Sequence, residues 1–91
     1  MKIDFRKIEV NDFEGNKSTI DISKELGNAI RNNTPDIGEF EFAREIYHSG
    51  EVEVDQEKAE MIRKYMDIGE FFAFIKVPVF EQLDSINNQN Q

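Results

Sequence analysis

Residues 36–55, DIGEFEFAREIYHSGEVEVD, decide the fold class because a helix and a strand are both legible in them. Asp36 followed three residues later by Glu39 is the pattern of a helix N-terminal capping box. Gly50 suits the left-handed position that ends a helix, and residues 51–54 alternate strictly, as a short strand does. The predicted apolar stripe of the helix comprises Ile37, Phe40, Ala43, Ile46 and Tyr47, widened by Phe42. This combination predicts an α+β domain.

The N-terminal segment predicts a β-hairpin. Residues 2–10 alternate, but the phase slips near Arg6-Lys7, so either a bulge resets the register or a strand ends there. Glu14-Gly15-Asn16 is a turn signal, and residues 19–22 alternate again. We therefore expect an antiparallel hairpin, with the short strand 51–54 pairing with it as a third strand.

A helix is predicted on each side of residues 36–55. The first has one apolar stripe, a cap at Asp21 or Ser23, and an end at Asn32-Asn33-Thr34-Pro35. Gly27 in its middle costs ~1 kcal/mol relative to Ala, which a close helix contact would explain. The other helix starts at the capping residue Asp55 and runs to about Asp67. Its predicted inward side chains are Met61, Ile62, Tyr65 and Met66.

Residues 70–86 allow two interpretations. The spacing of Phe72, Ile75, Val79 and Ile86 suits one helix kinked by Pro78. Alternatively, residues 71–76 are extended and Pro78 begins a short helix at its first turn. We favour the second interpretation. The expected fold is thus a hairpin and a short third strand packed against three or four helices, as a single domain over residues 1–86 with a frayed polar tail over 87–91.

The composition indicates a small, acidic, soluble protein. The chain has 91 residues, 38% of them hydrophobic, and a net charge of −8. This length suits one domain. Without Cys, the chain offers no disulfide framework, thiolate nucleophile or zinc knuckle. The N-terminus has no signal-peptide h-region and the longest apolar run is residues 71–75, so we predict a cytoplasmic location and no membrane span.

The negative charge is unevenly distributed. Residues 1–35 carry six acidic and six basic groups, whereas residues 36–91 carry thirteen acidic and five basic groups. Eight of those thirteen lie between Glu39 and Glu60. This pattern predicts an acidic face over residues 39–60, which either keeps the protein soluble or docks a basic partner. The candidate partner-binding residues on it are Glu39, Glu41, Glu45, Glu51, Glu53 and Glu57.

Direct contact with nucleic acid or with a membrane surface is disfavoured. Phosphate contacts need clustered Lys and Arg, and the basic residues near the N-terminus are mixed with acids. A protein partner is therefore expected, and a homo-oligomer stays open. An apolar interface candidate is the cluster Phe71, Phe72 and Phe74, since three aromatics in four residues cannot all face one way and at least one should be exposed.

No catalytic constellation is evident, so we expect a protein that is not an enzyme and has no cofactor. His48 is the sole histidine and falls at a predicted helix C-terminus, which favours an exposed structural position. Glu51, Glu53 and Asp55 share one face of an extended segment and could hold Ca²⁺ or Mg²⁺. The EF-hand pattern is not met, because its glycine and final glutamate positions are Gln56 and Ile62. A carboxylate metalloenzyme is thus only a third hypothesis, and we assign no metal ligands.

Three segments carry a resemblance to a group of known proteins. They are residues 2–16 (KIDFRKIEVNDFEGN), 20–30 (IDISKELGNAI) and 43–54 (AREIYHSGEVEV). Over residues 1–66 the chain resembles small uncharacterised proteins encoded by bacteriophages and prophages, while residues 70–91 diverge. The resemblance implies an accessory protein of a mobile element and brings no active-site residue. We expect an interaction module acting through the acidic face. The alternative is a phage structural or assembly protein that self-associates through residues 71–80.

Overall fold

The computed structural model describes residues 1–89 of the chain. The elements in chain order are β1 (Lys2–Asp4), β2 (Ile8–Asn11), β3 (Lys17–Ile20), α1 (Ser23–Arg31), α2 (Ile37–Ser49), β4 (Glu51–Glu53), α3 (Gln56–Ile68) and α4 (Ala73–Gln89). The predicted α+β class is confirmed. The helix α4 includes residues 87–89 of the predicted tail, and residues 90 and 91 lie outside the described residues.

The strands form two separate antiparallel pairs. β2 and β3 form the predicted hairpin, in register from Ile8 opposite Ile20 to Asn11 opposite Lys17. β1 ends before Arg6, so the phase slip near Arg6-Lys7 marks the end of a strand and not a bulge within one. The predicted short third strand is confirmed as β4, but it does not join β2 and β3. β4 pairs with β1, with Ile3 opposite Val52, because the chain turns after Asp4 and carries β1 away from β2.

Phe5 occupies the corner at which these elements meet. Its side chain is fully buried, and its amide donates to the carbonyl of Gly50 at 2.8 Å. Its carbonyl accepts from the amide of Ile22 at 2.8 Å, one residue before α1. Gly50 has a φ of +75°, and a Cβ there would lie 2.3 Å from Cγ of Arg6. The predicted left-handed end of α2 is thus confirmed, and only glycine fits it without displacing Arg6.

The helices α1 and α2 are in close contact through Gly27. A Cβ at this position would lie 3.0 Å from both the carbonyl oxygen of Ala43 and Cβ of Tyr47, so the predicted close helix contact is confirmed. The N-cap position of α1 is Ile22 rather than the predicted Asp21 or Ser23, although Asp21 accepts the amide hydrogen of Ser23 at 2.9 Å. The contact at Gly27 places the faces of α1 and α2 side by side over most of the length of α1.

One residue of the predicted α2 stripe is misplaced. Phe42, Ala43 and Ile46 are buried, but the side chain of Ile37 is 79% exposed. Ile37 lies nine residues before Ile46, which is about two and a half turns at 3.6 residues per turn, so it points away from the core. Asp36 caps the helix as predicted, since its Oδ2 accepts the amide hydrogen of Glu39 at 2.8 Å.

The preferred interpretation of residues 70–86 is wrong, because α4 is one helix with Pro78 inside it. A proline in a helix interior costs about 3 kcal/mol. Four side chains of α4 on both sides of it are buried, namely Ile75, Val79, Leu83 and Ile86. Burial of each contributes roughly 1.5–3 kcal/mol, which outweighs the cost of the proline.

The helix α3 supports α4 along its length. Ile62, Tyr65 and Met66 are buried and Met61 is half-buried, in agreement with the predicted inward face. Asp55 caps α3 by accepting the amide hydrogen of Lys58 at 2.8 Å. Two ion pairs then join the helices, Arg63 with Asp84 and Lys76 with Asp67.

The Gly27 contact predicts different effects for two helical glycines. Gly27→Ala should lower the free energy of unfolding by about 1 kcal/mol, because overpacking costs roughly 1–3 kcal/mol and the gain in helix propensity is only about 1 kcal/mol. Gly38→Ala should destabilise less than Gly27→Ala, since a Cβ there meets one side-chain oxygen, Oδ2 of Asp36 at 3.1 Å, and no backbone atom. Urea denaturation of both variants measures the difference, and equal effects would contradict the close contact.

The position of Pro78 predicts a stabilising substitution. Pro78→Ala should restore an amide donor within α4 and raise the free energy of unfolding by about 1–2 kcal/mol. If residues 71–76 were instead extended and Pro78 began a helix, the same substitution would have no stabilising effect. Thermal unfolding followed by circular dichroism distinguishes the two results.

Candidate interaction surfaces

Glu39 holds two elements together rather than lying free on the surface. Its side chain is half-buried, and its Oε1 accepts hydrogen bonds from Thr34 Oγ1 and Tyr65 Oη, both at 2.6 Å. The hydrogen bond from Thr34, and then that from Tyr65, holds the pKa of Glu39 below its ordinary value. The ring of Tyr65 is fully buried, so this carboxylate satisfies its hydroxyl. The hydrogen bond between Glu39 and Tyr65 therefore links the start of α2 to α3.

The other five predicted glutamates are exposed, and two of them have ionic partners. Glu53 accepts from the amino terminus of Met1 at 3.0 Å, and Glu41 lies 3.7 Å from Arg44. Glu45, Glu51 and Glu57 form no ion pair within 4.0 Å among residues 1–89. Of the six candidate partner-binding glutamates, these three therefore have neither an ion pair nor a structural hydrogen bond.

Basic side chains interrupt the acidic segment in space. The ammonium of Lys58, on α3, lies 5.1 Å from the ring centroid of Phe42, on α2. A shallow groove there is lined by Glu41 and Glu45 but also by Arg44 and Lys58. A charge run in the sequence has thus become a surface of mixed sign along α2.

Two of the three carboxylates considered for a divalent cation, Glu53 and Asp55, have structural partners. Glu53 pairs with the amino terminus, and Asp55 caps α3. Within the described part of the chain, no group of three or more His, Cys, Asp or Glu side chains is placed to hold a metal ion. His48 is exposed near the end of α2, as predicted, and lies edge-on to Tyr47 with 5.2 Å between ring centroids.

The aromatic cluster divides between the core and the surface. Phe71 is half-buried against the core, whereas Phe72 is 70% and Phe74 is 53% exposed. The exposed rings stack at an interplanar angle of 23°, with 6.0 Å between centroids. Val77, on the next turn of α4, is 59% exposed. The prediction that at least one of the three aromatics is exposed is confirmed.

Phe13 is an exposed aromatic that the sequence interpretation missed. It lies at the tip of the hairpin and is fully exposed. Its loop is well ordered, because Asp12 Oδ1 accepts the amide hydrogens of Glu14 and Asn16, each at 2.9 Å. The sequence signal was available, since the predicted turn leaves a large apolar side chain in a polar loop.

Phe13 and the exposed residues of α4 belong to one surface. Phe13 and Phe74 line opposite parts of a cleft of about 430 Å³. Phe71, Phe72 and Phe74 line an adjoining groove of about 780 Å³ between α1 and the start of α4. We call Phe13, Phe72, Phe74 and Val77 the aromatic patch. Phe74 is common to the cleft and the groove, so the patch is continuous across them.

The groove beside the aromatic patch is acidic. Its lining includes the exposed carboxylates Asp21, Glu25 and Glu70, and no Lys or Arg is present among the described residues that line it. Glu70 adopts a φ of +56°, a left-handed conformation unusual for a glutamate. Side-chain amides from α1 and from the two residues that follow it also line the groove. The patch therefore combines apolar surface with negative charge.

Comparison of the chain with protein-family models, with curated proteins and with solved structures found no match. None of the helices in residues 1–89 combines the length and the apolar character needed to cross a membrane. Function is therefore inferred from the surfaces of the chain itself.

The Glu39 contacts predict a measurable coupling with Tyr65. Tyr65→Phe should lower the free energy of unfolding by about 1 kcal/mol and raise the pKa of Glu39 towards its ordinary value, because one of its two hydrogen bonds is lost. Carboxyl NMR titration and urea denaturation measure the two effects. Tyr47→Phe is the matched control, since the hydroxyl of Tyr47 has no hydrogen-bond partner among the described residues.

The same contacts give stability a defined pH dependence. A carboxylate whose pKa is depressed in the folded state stabilises the fold above its unfolded pKa and loses that contribution as the pH falls through the folded pKa. The difference in unfolding free energy between the wild type and Glu39→Gln should therefore shrink on acidification. A difference that grows as the pH falls would contradict this assignment.

Proposed function

We propose that the chain is a non-enzymatic protein-interaction module whose aromatic patch docks a basic, apolar-anchored segment of a partner protein. The observation that supports this most directly is the exposure of Phe13, Phe72 and Phe74 along an adjoining cleft and groove, with the exposed Val77 one turn of α4 after Phe74. Contiguous exposed apolar surface on a small domain is typical of a site for a partner. A few residues supply most of the binding energy at protein interfaces, and aromatic side chains are enriched in the interface core.

The hairpin loop supports the proposal because hydrogen bonds hold the backbone on both sides of Phe13. The carboxylate of Asp12 binds two loop amides, and the amide of Asp12 donates to the carbonyl of Asn16 at 3.0 Å. An aromatic side chain on an ordered loop loses less conformational freedom on binding than one on a mobile loop. Such an arrangement favours affinity for a docked side chain.

The charge of the surroundings favours a basic partner over a second copy of the chain. Asp21, Glu25 and Glu70 line the groove, and Asp12 and Glu14 flank Phe13, so carboxylates outnumber Lys17, the one basic residue among those that line the cleft. A symmetric dimer formed through this surface would bring these like charges together, which is unfavourable. A segment with Lys or Arg beside an apolar anchor would instead complement both features. The free carboxylates of Glu45, Glu51 and Glu57 would add long-range attraction for the same partner.

The resemblance over residues 1–66 supports a phage or prophage origin, which belongs to the same proposal. An accessory protein of a mobile element that acts on a basic partner in the cytoplasm would need an accessible recognition surface and no catalytic groups. The aromatic patch and the acidic groove provide that surface.

Self-association through residues 71–80 is the second candidate. It is favoured by the stacked, exposed rings of Phe72 and Phe74 and by Val77 beside them. In this case the protein would assemble with itself, as a phage structural or assembly protein does. Light scattering at high concentration separates the candidates, because self-association would give a dimer or larger species that Phe74→Ser returns to a monomer.

The interaction proposal predicts that patch variants lose a salt-sensitive partner. Affinity capture from a bacterial lysate should retain a basic protein with the wild type and lose it with Phe13→Ser or Phe74→Ser. Binding of the purified partner, measured by calorimetry, should weaken at least tenfold between about 0.05 and 0.5 M salt, because exposed charges are screened.

A matched control separates the patch from general hydrophobicity. Ile37 is a large apolar residue that is 79% exposed on α2, outside the aromatic patch, so Ile37→Ser should leave partner binding unchanged. A captured protein that binds Phe13→Ser and Phe74→Ser as tightly as the wild type would overturn the proposed surface. So would the absence of any protein that distinguishes wild type from the patch variants.

A further inference from the structure

A further groove lies between α1 and α2 and differs in charge from the acidic groove beside the aromatic patch. It has a volume of about 310 Å³, at the lower end of the range for small-ligand sites. Arg31, Arg44 and His48 are among its lining residues, and no carboxylate is present among them. In a chain with a net charge of −8, this is a local reversal of sign.

The walls of this groove are aromatic as well as cationic. Phe40 and Tyr47 line it and are both half-buried. The guanidinium carbon of Arg44 lies 5.3 Å from the ring centroid of Phe40, and the ammonium of Lys24 lies 5.9 Å from that of Tyr47. Cations held over ring faces at these distances keep the positive charge close to the aromatic surface. The floor is Gly27, where the absence of a Cβ lets the two helices approach.

The positive charge of the groove is weakly neutralised within the chain. Arg31 donates through Nη1 to Oδ1 of Asn32 at 2.8 Å, and no ion pair to its guanidinium is found among residues 1–89. Arg44 has Glu41 at 3.7 Å, but both side chains are more than half exposed. An exposed pair of this kind contributes little and exchanges readily. Both guanidinium groups can therefore accept a better anionic partner.

We propose that the groove between α1 and α2 binds a small anion that carries a planar ring. The carboxylate or phosphate of the ligand would accept hydrogen bonds from the forked donors of Arg31 and Arg44, a geometry suited to either anion. The ring would pack on Phe40 and Tyr47. This site is separate from the aromatic patch, and it takes a negative ligand where the patch takes a basic one.

The test is an amide NMR titration with defined probes at constant ionic strength and pH. Phenyl phosphate and benzoate present the two anions on the same ring, and benzyl alcohol is the neutral counterpart. Saturable shifts of the Gly27, Tyr47 and His48 amide signals are expected with at least one anion, and the stronger anion identifies the chemistry preferred. Benzyl alcohol should cause no saturable shift.

Substitutions then locate the binding groups. Arg31→Gln and Arg44→Gln should each weaken binding roughly tenfold, because a hydrogen bond between charged groups is lost. Lys7→Gln removes the same charge at an exposed position outside the groove and should leave affinity unchanged. The proposal is overturned by equal shifts with benzyl alcohol, by unchanged affinity in both arginine variants, or by no saturable shift with either anion up to its solubility limit.

Discussion

The hydrogen bonds on either side of Phe5 are the constraint on which the rest of the fold depends. One joins the first strand to the end of α2 through Gly50, and the other joins it to the residue before α1. Since Phe5 itself is fully buried, the corner is both a backbone junction and part of the core. In the folded chain the corner holds the start of α1 near the end of α2, and the absence of a Cβ at Gly27 lets the faces of the two helices meet.

Local rules predicted the elements well where one residue decides the geometry. The caps at Asp36 and Asp55, the left-handed Gly50 and the hairpin turn each depend on chemistry within about four residues, so they can be read from the sequence. The partner of β4 could not be read from the sequence, because this three-residue strand pairs with a strand about fifty positions away. The interpretation of α4 was wrong because proline disfavours a helix interior locally, whereas burial of apolar side chains on both sides of Pro78 outweighs that preference.

The surfaces were harder to predict than the fold, for a related reason. A count of acidic residues along the chain does not show that Glu39 bonds to Tyr65 or that Lys58 of α3 lies over Phe42 of α2. Exposure of Phe72 or Phe74 followed from their spacing, whereas their proximity to Phe13 required the packing of α4 on the hairpin. The cationic groove likewise combines residues of two helices whose separate sequences show no basic cluster.

The pairing of β1 with β4 also has a consequence for the order of folding. It closes a ring of chain that contains the hairpin, α1 and α2, all of which are built from contacts between neighbours in the sequence. Closing such a ring early would restrict a long flexible segment before any compensating contact exists. We therefore expect the hairpin and the helix pair to form on the early side of the folding barrier. The pairing of β1 with β4 depends on the hairpin and the helix pair. It would therefore form late in folding and be lost first in unfolding.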